Sequence, residues 1–115
     1  MRYIKSPVYT TVLGLAASMG AVIASSGEKG HRKALPYSRF MIHQPSSGVG
    51  YSTFKDQQIH LKEMENLKWD IYEVLAENSG KNKEEIEQLC DRDNWMKAEE
   101  AISLGFLDEI VTSKE

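Results

Sequence analysis

The chain is 115 residues long, a length that suits one domain. Its 41% hydrophobic and 27% charged fractions are those of an ordinary soluble globular protein, and its formal charge of −3 gives no reason to expect a nucleic-acid partner. The single cysteine, Cys90, excludes an intrachain disulfide and fits a reducing compartment.

Residues 8–13 are β-branched and aromatic and follow Pro7, which predicts a strand buried on both faces. Residues 14–17 are mostly small and read as a sharp turn. Residues 19–26 suit a buried helix that stops near Ser26-Gly27-Glu28, with a further turn at Gly30. Lys29, His31, Arg32 and Lys33 form a small basic cluster that reads as a solvated loop. Residues 34–42 predict a turn at Pro36 and then a short buried strand ending at His43. Residues 44–50 are a loop by composition. The run 12–26 is broken by Gly14, Gly20 and several serines, so a strand and helix explain it better than a membrane span. No signal peptide is evident.

Residues 53–78 carry the longest helical pattern. Thr53 with Asp56 three positions on predicts an N-terminal cap, Ile59, Met64, Leu67, Ile71, Val74 and Leu75 recur mostly at spacings near three and four, and Gly80 predicts the stop. Such a helix spans roughly 39 Å at 1.5 Å per residue. That is long for so small a domain, so part of it should project and need a partner surface, with self-association the simplest answer. Asn82 and Glu85 predict a capping box for a helix reaching about Leu89. A short helix over 98–104 should stop at Gly105. Residues 106–111 suit a final strand, and 112–115 a frayed tail.

Chemistry concentrates at three places. Ser18 lies in Gly14-Leu15-Ala16-Ala17-Ser18-Met19-Gly20, where a tight turn into a helix exposes a hydroxyl beside the positive end of the helix dipole. Taken alone, this segment fits a helix N-cap at least as well as a nucleophile. A serine nucleophile needs a base; His43 follows an apolar strand and precedes a loop, so it can stand at a cleft edge, and a satisfied structural histidine is an equal reading there. His31 reads as solvated, and His60 as an exposed or interface residue of the long helix. For an acid, Asp91 and Asp93 are both available in Asp91-Arg92-Asp93-Asn94-Trp95. Cys90 reads as a structural thiol whose neighbour Asp91 disfavours the thiolate. No zinc-like ligand spacing and no phosphate-binding glycine loop is present, so no metal or other cofactor is expected.

Gly-Leu-Ala-Ala-Ser-Met-Gly (14–20), Leu-Pro-Tyr-Ser-Arg-Phe-Met-Ile-His-Gln-Pro (35–45) and Asp-Arg-Asp-Asn-Trp-Met-Lys-Ala-Glu-Glu-Ala (91–101) together resemble the proteolytic subunits of the Clp protease. The resemblance runs from about Tyr3 to Val111. It implies Ser18 as nucleophile, His43 as general base, Asp93 as the acid that orients the histidine, and the Met19 N–H as one oxyanion donor. Gln44, Pro45 and Ser46 would bind substrate, in a loop that carries one residue more than the usual pattern. Arg92 corresponds to a position that helps contact an opposite ring.

The resemblance further implies an α/β spiral fold, shared with crotonase-like enzymes, with a long projecting handle helix. It implies a cytoplasmic serine endopeptidase that cleaves unfolded polypeptides within stacked homo-oligomeric rings fed by a separate ATP-driven AAA+ unfoldase. Residues 1–115 would be a single domain lacking the N-terminal part of the family fold, and Met1–Lys5 would be the tail of a helix. A second reading is a non-catalytic fragment that only assembles with other subunits. A third, a crotonase-like acyl-CoA enzyme, finds no nucleotide-recognition segment in this chain.

Overall fold

Short strands alternate with helices along the chain. The computed structural model describes residues 1–48 and 50–113. The first half contains β1 (Thr10–Val12), β2 (Leu15–Ala17), α1 (Met19–Ser25), β3 (Arg32–Ala34) and β4 (Arg39–Ile42). Then come α2 (Phe54–Ser79), α3 (Lys83–Leu89), β5 (Asn94–Lys97), α4 (Ala98–Ser103) and β6 (Glu109–Ile110).

The strands form two three-stranded sheets. One has the order β1-β3-β6 and is parallel throughout; the other has the order β2-β4-β5, with β2 parallel and β5 antiparallel to the central β4. Helix α1 is the crossover that lets β1 and β3, and likewise β2 and β4, run parallel. The sheets meet where Arg39 N–H donates to the Gly14 carbonyl at 2.8 Å and Ser38 Oγ donates to the Val12 carbonyl at 3.1 Å.

One cluster forms the core. Phe40 and Ile42 from β4, Met96 from β5, Ala21 and Ala24 from α1, and Tyr72 and Leu75 from α2 pack with Ile86, Ala101 and Phe106. The Phe40 and Phe106 rings stack with centroids 5.5 Å apart. Helix α2 begins at its Thr53 cap, whose hydroxyl accepts from Asp56 N–H at 3.2 Å. It ends at Gly80, whose φ of 76° is the left-handed conformation that glycine adopts without penalty. Only its C-terminal half is buried, at Tyr72, Leu75 and Ala76; Phe54, Ile59 and Leu61 stand 75%, 68% and 71% exposed. The helix therefore projects, as its length requires. No described helix is long and apolar enough to cross a membrane.

Several expectations are corrected. The first strand is shorter than 8–13, and Tyr9, Thr11 and Leu13 alternate with buried Val12 and are exposed, so only one face of β1 is covered. The small residues 15–17 form a strand, β2, rather than a turn. Arg32 and Lys33 are not in a solvated loop. They belong to β3, and Arg32 is 3% exposed because it pairs with Asp108 at 2.7 Å. The stretch around Trp95 is a strand, β5, and the last strand is only Glu109–Ile110. Met1–Lys5 form turns and bends, not helix. Of the loop 44–50 and the tail 112–115, Val49, Lys114 and Glu115 lie outside the described residues.

Candidate active site

The β2–β4 pairing builds the site. Its register aligns Ala17 with Met41, and Ser18 N–H extends the ladder by donating to the Met41 carbonyl at 3.1 Å. The residues just beyond the two strands are therefore brought side by side. These are Ser18, at the start of α1, and His43. Ser18 Oγ lies 2.6 Å from His43 Nε2.

Ser18 holds φ 55° and ψ −122°, a region unfavourable to any residue with a Cβ and costing on the order of 1–3 kcal/mol. It occupies the N-cap position of α1, yet its side chain makes no capping bond. The capping alternative is thus not realised: the hydroxyl turns to the imidazole instead. Ala21 and Val22 N–H donate to the Ser18 carbonyl at 3.0 and 3.3 Å, which leaves the Met19 and Gly20 N–H groups at the start of α1 without intrahelical acceptors.

The second ring nitrogen fixes the tautomer. His43 Nδ1 contacts the Gln44 backbone carbonyl, which can only accept. Nδ1 therefore carries the proton, and the Nε2 lone pair is left to accept the Ser18 hydroxyl proton. That is the tautomer a general base requires. Gln44 is itself held from the other side. Its N–H donates to the Cys90 carbonyl at 2.8 Å, and its Nε2 donates to the Asp91 carbonyl at 2.9 Å.

Asp93 is exposed, just ahead of β5, and among the described residues no hydrogen bond joins it to His43. The two share an open hollow with Gln44, Ser46, Asp91 and Arg92. His43 stands on the ridge between this hollow and a cleft of about 320 Å³. Ser18, Met19, His43, Pro45 and Ser46 line the cleft, so of the three residues expected to bind substrate, Pro45 and Ser46 face it and Gln44 does not. The remaining lining is Val22, Ile42, Leu67, Ile71 and Leu75. Leu67, Ile71 and Leu75 are spaced four apart on α2, and this stripe was legible in sequence as an amphipathic face but not as a cleft wall.

Cys90 takes no part. It is fully buried, and burial pushes its thiol up to about 12. Desolvation is the cause, rather than the Asp91 carboxylate the sequence pointed to.

Comparison with known proteins gives the family. A family model described as Clp protease matches residues 1–114. The chain belongs to the Clp protease family. It is 45% identical over 116 residues to the ATP-dependent Clp protease proteolytic subunit of Streptococcus thermophilus (strain LMD-9). It is 46% identical over 114 residues to the subunits of the same name in Streptococcus gordonii and Streptococcus pneumoniae. The S. thermophilus alignment covers 100% of this chain and 59% of its relative, so the chain spans about three-fifths of the length of such Clp protease subunits.

Proposed function

We propose that this chain is the catalytic portion of a Clp protease proteolytic subunit, a serine endopeptidase acting on unfolded polypeptides. The observation that carries this reading is the Ser18 hydroxyl 2.6 Å from a His43 Nε2 whose tautomer leaves it free to accept a proton. The strained backbone at Ser18 and the apolar cleft beside it support the same conclusion.

In this mechanism Ser18 Oγ attacks the scissile carbonyl carbon as its proton passes to His43 Nε2. The carbonyl oxygen becomes an oxyanion, and the Met19 N–H donates to it. As the C–N bond breaks, His43 returns the proton to the leaving amine. Water, deprotonated by His43, then hydrolyses the acyl-serine. Gln44 orients the imidazole through its carbonyl, and Asp93, across the shared hollow, adds negative charge that favours the transient imidazolium. The cleft takes an apolar side chain of the substrate, with Pro45 and Ser46 along its rim.

The expected fold is the family's α/β spiral, and residues 1–115 form one domain. The exposed Phe54, Ile59 and Leu61 of α2 fit burial against further copies in stacked rings. A separate AAA+ unfoldase would deliver substrate, and the setting is cytoplasmic.

Treatment with a fluorophosphonate probe tests the reading. The parent chain should gain the mass of one adduct, and Ser18→Ala none. Equal labelling of the two would remove Ser18 as nucleophile. A parent that never labels would favour an assembly-only role.

A further inference from the structure

A second serine–histidine contact lies outside the machinery described above. Ser47 Oγ is 2.7 Å from His60 Nε2 and 3.4 Å from Met64 Sδ. His60 and Met64 are four residues apart on α2, so they stand on one face of the helix, one above the other. Ser47 belongs to the segment that follows His43, in which Pro45 and Ser46 form the rim of the cleft. The thioether can only accept, so the Ser47 O–H points at Met64 Sδ and its oxygen accepts from His60 Nε2–H. Both contacts are then satisfied by one hydroxyl.

The placement matters because of what it joins. His43, Pro45 and Ser46 line one part of the cleft, and Leu67, Ile71 and Leu75 of α2 line another. Ser47 is the first residue beyond the rim, and His60 and Met64 lie on the same helix as Leu67, Ile71 and Leu75. We propose that Ser47, His60 and Met64 form a latch that ties these two linings together and sets the width of the cleft. His60 and Ser47 are positioning residues: they touch no reacting atom and act through Pro45, Ser46 and His43. The latch rests on the contacts alone, while its effect on substrate rests on the proposed peptidase reading. Ser47 sits in a loop rather than at a strand-to-helix turn, the setting that gives Ser18 its oxyanion donor.

The test compares the full chain with Ser47→Ala, His60→Leu and His60→Gln. Amide-nitrogen relaxation reports the order of the Ser46, Ser47 and Gly48 backbone. Order parameters near about 0.8 are expected in the parent, falling below about 0.6 in Ser47→Ala and His60→Leu. His60→Gln should restore them, because its side-chain amide can donate to Ser47 Oγ. Order parameters unchanged across the set, or already low in the parent, would overturn the latch. Fluorophosphonate kinetics supply the second readout. A probe with an apolar tail should bind roughly three- to tenfold more weakly in the two latch-breaking variants, the range of one hydrogen bond, with the maximal labelling rate kept within about twofold. Loss of the maximal rate instead would place His60 in the chemistry and overturn its positioning role. Labelling of Ser47 would likewise replace the latch with a second nucleophile. If Ser18 does not react at all, the peptidase reading falls and the order parameters still decide the latch.

Discussion

Asp108 accepts four hydrogen bonds from two residues. They come from Gly30 N–H at 2.8 Å, Arg32 N–H at 3.0 Å, Arg32 Nε at 2.8 Å and Arg32 Nη2 at 2.7 Å. The same guanidinium reaches the Ser25 carbonyl at 3.1 Å and the Asn78 carbonyl at 2.8 Å, so it also satisfies acceptors near the C-terminal ends of α1 and α2. The Arg32 side-chain hydrogen bonds hold the Asp108 carboxyl down at about 2, below its ordinary 3.8. Because the folded-state value is the lower one, this stabilisation is complete above about pH 4 and is lost as pH falls through about 2. The shift corresponds to about 2 kcal/mol. Asp108→Asn should cost about 3 kcal/mol at pH 7, since it leaves a buried guanidinium unpaired, and should flatten the stability change between pH 4 and pH 2. Urea unfolding midpoints across that range check both effects; a midpoint unmoved at neutral pH would contradict the clamp. Local sequence hides this pair, for the run 29–33 holds no carboxylate and the partner is 76 positions away. Ser18 and His43 were paired by the three-motif resemblance alone, because each segment by itself fits a helix cap or a structural histidine as well, and the β2–β4 register that joins them is long-range. The immediate partner of His43 Nδ1 was not legible, because a backbone carbonyl leaves no mark in a sequence.

Helices with local stop and start signals were read to within a residue or so. Thr53 and Gly80 bracket α2, and the Asn82–Glu85 capping box opens α3, with Glu85 N–H donating to Asn82 Oδ1 at 2.9 Å. Strands β2, β3 and β5 went unread because each is three or four residues long and is defined by a distant neighbour rather than by its own pattern. Helix α4 carries an imperfect start. Lys97 stands at its N-cap with no acceptor to offer, and only the reverse half of a capping box survives, as Lys97 N–H meets Glu100 Oε1 at 3.5 Å. Lys97→Ser would supply the missing acceptor and should raise stability by about 1 kcal/mol. A thermal unfolding midpoint that fails to rise would show that the Glu100 contact already suffices. At the far end of this helix, Gly105 lets the backbone pass close to α2, since a Cβ there would fall 2.4 Å from the Ser79 carbonyl oxygen.

The molecule measures 58 × 31 × 24 Å, and its radius of gyration of 15.8 Å exceeds the ~13 Å usual for a compact chain of this length. The excess reflects the projecting half of α2. At the other extreme is Cys90, sealed in the common core of helices and sheets. Its alkylation should follow global opening alone, so iodoacetamide should modify the native chain at least about 10³-fold more slowly than the chain in denaturant. Fast native labelling would mean that the α3 region opens independently. The projecting helix also has a mechanical consequence. With its C-terminal turns clamped from Tyr72 on, α2 is a lever whose arm is about 27 Å at Phe54 and about 8 Å at Leu67. A sideways pull of several ångströms on the distal tip is geared down to roughly three-tenths of that at Leu67. Whatever seats against Phe54 and Ile59 therefore grips the long arm, and the pocket beside Ser18 feels the short one.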